Sequence, residues 1–186
     1  MRSLIVTELM SLDGVVESPG DGDHPHAGWT FRDVDFVPEA YELKGREQTE
    51  ASAMMMGRVS YQAFAPVWPT MAEFAEYNAM PKYVVSTTLT ETDPGWMPTT
   101  ILRSMDEVAA LKQTEGGSIL VHGSPLLAQS LLEAGLVDRY HLLVFPLILG
   151  SGKRLFAETG DFAKLELCEQ ESYDNGVIKA IYDVVR

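Results

Sequence analysis

Cysteine is all but missing from this chain: Cys168 is the single thiol in 186 residues. No intrachain disulfide can form, and no zinc site can be assembled from thiolates. Long apolar runs are missing too. The longest, residues 142–149, contains Pro146 and falls far short of the ~20 residues that span a bilayer as a helix. The first ten residues hold one basic side chain, Arg2, and a short apolar run at 4–6, which does not make a secretory leader. The expected location is therefore the cytoplasm. Positive charge is scarce: 14 Lys and Arg stand against 27 Asp and Glu, for a formal net charge of −13. Polyanions and anionic membrane surfaces are held by basic faces, so neither nucleic acid nor membrane is an expected partner. A small anionic ligand stays open, because a local site can be positive on an acidic protein. Internal repeats and low-complexity tracts are absent as well.

What is present is an ordinary globular composition, with 46% hydrophobic residues, in a length that suits one domain over residues 1–186. Strand and helix patterns alternate. Strands are expected at 4–9, 53–56, 81–86, 118–121 and 140–149, and helices at 38–50, 59–64, 104–114 and from Pro125 to about Gly135. Ser104 with Glu107 three residues on reads as a capping box, and Ser124-Pro125 as an N-cap followed by proline at the first helical position. Asp174-Asn175-Gly176 turns a closing hairpin of 165–173 with 177–185. The fold class is α/β, with a mainly parallel central sheet flanked by helices and an antiparallel C-terminal hairpin. Residues 11–31 form a long connection of the kind that is usually functional.

Three junctions at strand ends carry the chemistry, since ligands of open α/β sheets sit at the carboxyl ends of the strands. At Met56-Gly57-Arg58-Val59-Ser60, the glycine permits close approach of a ligand and the arginine suits a phosphate. At Val85-Ser86-Thr87-Thr88, three hydroxyls close a buried strand. At Val121-His122-Gly123-Ser124-Pro125-Leu126, a buried strand runs into a helix whose first amides can face an anion. Each segment alone reads equally as a plain turn or a capped helix end, and none is a Gly-x-Gly-x-x-Gly fingerprint. Other polar clusters have bland readings. Asp21, Asp23, His24 and His26 read as a solvated loop rather than a metal site, His141 as a satisfied sheet residue, and Met54 to Met56 as core. Trp29, Trp68 and Trp96 read as packing rather than as stacking platforms.

Taken in order, the three junctions resemble the cofactor frame of dihydrofolate reductases. Ser11-Leu12-Asp13-Gly14, residues 131–138 and residues 146–152 resemble the reductase domain of bifunctional riboflavin-biosynthesis deaminase-reductases, the RibD C-terminal domain family. The resemblance spans nearly the whole chain and implies a dihydrofolate-reductase-like fold that binds NADPH, with NADH possible. It places cofactor contacts on Gly57, Arg58, Val59, Ser60, Ser86, Thr87, Thr88, His122, Gly123, Ser124 and Leu126. Arg58, Ser60, Ser86 and Thr87 would take the adenosine 2′-phosphate and its neighbour. His122, Gly123 and Ser124 would lie against pyrophosphate and nicotinamide, with residues 11–16 closing over the ring. Asp13, in that loop, is the candidate for a polar catalytic role.

Three departures stand out. His122 replaces the first residue of the family's glycine pair, whose cis peptide would cost ~3 kcal/mol before a non-proline residue. Pro125 stands where a basic residue is common. Asp33, Asp35, Glu39 and Glu42 lie near the first helix, but none falls in a substrate-carboxylate motif.

The implied activity is NADPH-dependent reduction of the 5-amino-6-(5-phosphoribosylamino)uracil reductase type. A folate or other heterocycle reductase, and a dinucleotide-binding module without turnover, remain alternatives. The partner is a small heterocyclic substrate. The long apolar segments 140–149 and 177–185 point to a homodimer, in line with how riboflavin-type reductases pair.

Overall fold

Alternation along the first strand, β1 (Leu4–Ser11), sets the two faces of the molecule. Leu4, Val6, Glu8 and Met10 point to one side; Ile5, Thr7, Leu9 and Ser11 point to the other. Parallel strands flank it on both sides, β5 (Ile119–His122) and β6 (Arg139–Phe145). The computed structural model describes residues 1–92, 96–156 and 162–186. With β2 (Ala53–Gly57), β3 (Lys82–Val85), β4 (Thr99–Leu102), β7 (Lys164–Ser172) and β8 (Ile178–Val185), these strands form one eight-stranded sheet of order β4-β3-β2-β5-β1-β6-β8-β7. Every pairing from β4 across to β6 is parallel, and β8 runs antiparallel to both β6 and β7. The expected fold class holds.

Helices cover both faces, as a parallel sheet requires. The helices α5 (Met105–Gln113) and α6 (Pro125–Glu133) bury Val108, Leu127, Ala128 and Leu131 against Leu4, Val6, Met55 and Val121. Leu131 is fully buried, and cutting it to alanine is expected to cost roughly 2–5 kcal/mol. The other face carries α2 (Glu42–Glu50), α3 (Arg58–Phe64) and α4 (Ala75–Ala79). Tyr61, Trp68, Tyr77 and Trp96 pack there on Met54 and Met56. Trp29, in the short α1 (Trp29–Arg32), is fully buried edge-on to Phe145 and donates to the Glu17 carbonyl.

Local physics moved several boundaries. The helix expected over 38–50 begins as a 3-10 turn, Pro38–Tyr41, in which the Ala40 amide reaches back three residues to Val37. The strand expected over 140–149 stops at Phe145, because Pro146 has no N–H to continue the ladder. Strand β4 has no counterpart in the sequence reading: four residues are too few to show alternation. Ser124 occupies the N-cap position of α6 but does not cap it. Its backbone is left-handed, at φ 69° and ψ 63°, which aims the hydroxyl away from the helix. Ser104 does cap α5, accepting from the Glu107 amide at 3.2 Å. The Glu107 carboxylate, however, closes on the amide of Arg103 at 2.7 Å, one residue before the position a capping box predicts.

Candidate functional site

The carboxyl ends of β2, β3, β4 and β5 open into a cleft of about 400 Å³. Two hydrogen bonds tie its centre together. The Ser124 hydroxyl accepts from the Gly57 amide at 2.8 Å and donates to Ser60 Oγ at 2.7 Å. The twist that denies α6 its cap thus locks the β5 turn to the β2 turn. It also leaves the first amides of α6 without a side-chain acceptor. A side chain is unwelcome at Gly123, where a Cβ would lie 3.3 Å from Ser60 Oγ and 3.5 Å from Phe64, whereas one on Gly57 would make ordinary contact at 3.4 Å from Ser124 Oγ. Gly123 also has φ +61°, which favours glycine.

Among the described residues, three cations, Arg58, Arg103 and Lys153, line the cleft and no carboxylate does, although Lys153 pairs with Glu17 at 2.6 Å. Arg58 bonds Gln62 at 2.8 Å, and Arg103 donates to the Ser86 carbonyl at 2.8 Å. Neither arginine forms an ion pair among the described residues. Ser86 Oγ accepts from the amides of Thr88 and Leu89, a turn that holds Thr87 at the rim. Of the residues singled out in the sequence, Gly57, Arg58, Val59, Ser60, Ser86, Thr87, Ser124 and Leu126 line the cleft, while Thr88, His122 and Gly123 do not. Arg103 and Lys153 are additions. Arg103 follows the strand that the sequence pattern did not reveal, and Lys153 comes from a distant loop.

His122 takes a different place. Its peptide bond to Gly123 is not cis; the cis bond among the described residues is Met97–Pro98. The imidazole turns away from the cleft into a ring of aromatics, with centroids 5.9, 5.1 and 5.7 Å from Phe64, Trp68 and Tyr77. Its Nδ1 is buried without a partner, and burial, with Lys44 nearby, depresses its pKa to about 4. The ring is neutral at pH 7.

Asp13 works as a staple. Its carboxylate accepts from Ser11 Oγ at 2.7 Å and from the Leu149 and Gly150 amides at 3.1 and 2.9 Å. Partial burial opposes ionisation, but these bonds outweigh it and hold its pKa at about 2. An acid so ionised has no proton to give at neutral pH. The turn after β1 is zipped to residues 147–155 through bonds of Leu12 to Leu147, Val16 to Lys153 and Leu155 to Gly14.

A second polar cluster, unmarked in the sequence, lies under α2. Glu47, 3% exposed, accepts from Thr7 Oγ1 at 2.6 Å and meets His141 Nδ1 at 2.9 Å and Lys44 Nζ at 3.3 Å. Lys44 also donates to Thr7 Oγ1. Burial raises the Glu47 pKa, yet Lys44, His141 and Thr7 together bring it to about 2. An ionised carboxylate only accepts, which fixes a proton on His141 Nδ1. His141 is thus a satisfied sheet residue, as expected, but in a charged network. On the opposite face of β1, Glu8 is buried with Oε1 unpartnered, and burial pushes its pKa up to about 8. Thr7, the Lys44–Glu47 pair and His141 come from three separate elements, β1, α2 and β6, and only the packing of α2 across the two strands gathers them.

The geometry has known relatives. The family described as the RibD C-terminal domain matches residues 2–179. The chain is 25% identical to the protein named "Uncharacterized protein YyaP" of Bacillus subtilis (strain 168), over 97% of this chain and 94% of that one. Among solved structures, it superposes with TM-score 0.77 and 20% identity on a Shewanella sp. PV-4 protein with a provisional riboflavin-biosynthesis name, covering 99% of both chains. Dihydrofolate reductase from Enterococcus faecalis, solved with NADP(H), matches with TM-score 0.67 and 13% identity, covering 99% and 97% of the two chains. A pyrimidine reductase-like protein from Corynebacterium diphtheriae matches with TM-score 0.62 and 16% identity, covering 99% and 92%. These three likenesses establish the dihydrofolate-reductase-like fold.

Proposed function

Since this chain belongs to the RibD C-terminal domain family, we propose that it is a reductase that binds a reduced nicotinamide dinucleotide, NADPH for preference, in the cation-lined cleft. The acceptor is a small heterocycle, with an aminopyrimidine ribosyl phosphate of the 5-amino-6-(5-phosphoribosylamino)uracil reductase type favoured. The observation that carries the reading is the charge of the cleft: on a chain of net charge −13, its walls hold, among the described residues, two arginines outside any ion pair, a lysine paired with Glu17, and no carboxylate. Arg58 and Arg103 suit phosphate oxygens with planar donor forks, and Ser60, Ser86 and Thr87 add hydroxyls. The open amides of α6 favour negative charge. Gly57, in the cleft wall, lets a ligand approach the backbone closely. When bound, the dinucleotide supplies the hydride; the protein's part is to orient it and exclude water. NADH shares the same pyrophosphate and remains a weaker ligand.

Titration of the protein's tryptophan fluorescence with NADPH and NADH tests this. Saturable quenching at micromolar or lower NADPH is expected, and no saturable signal with either dinucleotide rejects the reading.

The same reading includes a homodimer formed through the C-terminal strands. Strand β7 is a long edge with most of its residues exposed, and Leu167, Ile178 and Val185 are exposed on β7 and β8. Long exposed edges usually need cover. Light scattering should give twice the mass of one chain at tens of micromolar; the mass of one chain would reject the dimer.

A further inference from the structure

The three cations of the cleft are not equivalent. Arg58 and Arg103 follow β2 and β4, and among the described residues they meet only neutral oxygens, those of Gln62 and the Ser86 backbone. Lys153 reaches the cleft wall on the loop after β6. That loop is fixed to α6, where Gln129 donates to the Arg154 carbonyl at 2.8 Å. It is also fixed to the segment after β1, where the Val16 amide bonds the Lys153 carbonyl at 2.9 Å. Lys153 therefore stands beside the first turns of α6, which give Leu126, Leu127 and Ser130 to the same wall. Its ammonium already has a counter-charge. Glu17 Oε1 accepts from Lys153 Nζ at 2.6 Å, and Glu17 Oε2 accepts from the Lys153 amide at 3.1 Å. These bonds hold the Glu17 carboxyl below the usual carboxylate range, so it is ionised at neutral pH. The amide bond keeps Glu17 in place whatever the ammonium does, helped by Trp29 Nε1, which donates to the Glu17 carbonyl at 3.0 Å. The ammonium, by contrast, sits on a flexible four-carbon stem. The pair is open to water, with the lysine side chain 51% exposed and the glutamate 27%. Such pairs are weak, so a doubly charged pyrophosphate can take the ammonium without unzipping the loop.

We infer that Glu17, from outside the cleft lining, limits dinucleotide affinity by competing with the pyrophosphate for the Lys153 ammonium. Each binding event draws the ammonium off Glu17 and into the cleft, and the ion pair lost opposes binding. The inference rests on the dinucleotide reading of the cleft and adds a residue that governs how tightly the ligand is held. Lys153 stands at the α6 end, beside the open helix amides. The oxygens it takes are therefore those that NADPH and NADH share, not the 2′-phosphate assigned to Arg58.

Calorimetric titration of the full chain with NADP+ and NAD+ tests the competition. Glu17→Gln keeps the shape and an acceptor for the Lys153 amide but removes the charge. It is expected to tighten both dinucleotides by about two- to fivefold, the range of an exposed pair. Lys153→Met should weaken both by about threefold or more. In that background Glu17→Gln should change either Kd by less than about 1.5-fold, because its partner is gone. A glutamate that only holds the loop predicts the opposite sign. Weaker or unchanged binding in Glu17→Gln therefore overturns the inference. So does a full gain that persists in Lys153→Met, which is long-range repulsion by Glu17 and not competition. A gain confined to NADP+ overturns it as well, because Lys153 would then meet the 2′-phosphate. Should Glu17→Gln fail to fold, carbon NMR of the Glu17 carboxyl, which also feels His24, decides. Its pKa should rise on NADP+ binding, and by more in the unaltered chain than in Lys153→Met; equal shifts reject the competition. If neither dinucleotide binds the unaltered chain, the cleft reading itself is rejected, and this inference with it.

Discussion

Arg58 and Arg103 stand in an open cleft with no carboxylate among the described residues of its walls, whereas Lys44, under α2, is held 3.3 Å from a buried Glu47. The difference follows from solvent. A charge in an open cleft keeps much of its hydration and can stay unpaired until an anion arrives. A charge beneath a helix loses its water and must be paired and hydrogen-bonded. The chain therefore keeps its cleft arginines, among the described residues, outside ion pairs where water reaches them. Its buried charges at Glu47, Lys44 and His141 sit in a hydrogen-bonded network whose members carry stability.

The sharpest way to break that contrast is to open the network. Glu47→Ala leaves Lys44 and His141 facing an empty site, and a loss of ~3–5 kcal/mol in urea-unfolding free energy is expected. A loss under ~1 kcal/mol would mean that the cluster is solvated like the cleft. The acid limb should show the same group. The Glu47 pKa lies near 2 when folded, below its unfolded value, so its stabilisation is present above that unfolded value and lost as pH falls toward 2.

Glu8 has the opposite sign. Its folded pKa near 8 exceeds the unfolded value, so the folded state holds the extra proton between the two. Stability then declines as pH rises toward 8, by at most ~1.4 kcal/mol per pH unit. Glu8→Gln should flatten that decline in unfolding curves taken from pH 5 to 9; an unchanged slope would place its source elsewhere.

Effects in the cleft should be smaller and should fall on binding. Arg58→Ala is expected to weaken NADPH more than NADH, by ~1–3 kcal/mol, the scale of a charged hydrogen bond. Equal losses for both dinucleotides would show that Arg58 does not read the 2′-phosphate. Ser124→Ala removes the bonds to Gly57 and Ser60 and should cost ~1 kcal/mol of stability. It should weaken both dinucleotides alike, and a selective loss of NADPH would show that Ser124 does more than join the two turns.

Much of the architecture was legible because it is periodic and local. The strand at β1, the hydroxyl-capped start of α5 and the Asp174-Asn175-Gly176 turn each declare themselves within a few residues. So do the three strand-end junctions, and eight of the eleven residues named there meet in one cleft. The misses have a common cause. Thr88, His122 and Gly123 lie in the right segments but off the cleft lining, and strand alternation turns His122 into the aromatic ring instead. Ser124 has the residue type and position of an N-cap, but a left-handed backbone turns it to another task. Arg103 was hidden behind a four-residue strand with no pattern of its own.

Composition and periodicity by themselves determined the fold class, the acidic balance and the lack of an intrachain disulfide or a zinc site built from thiolates, because those depend on residue types and local spacing alone. The pairing of Lys44 with Glu47, Thr7 and His141 was decided by the tertiary structure. Glu47 and His141 are 94 residues apart in the chain, yet Nδ1 and Oε1 lie at 2.9 Å. No local rule selects that pair. The packing of α2 across β1 and β6 does, because a carboxylate stripped of water there is stable only where a lysine, a histidine and a hydroxyl all face it.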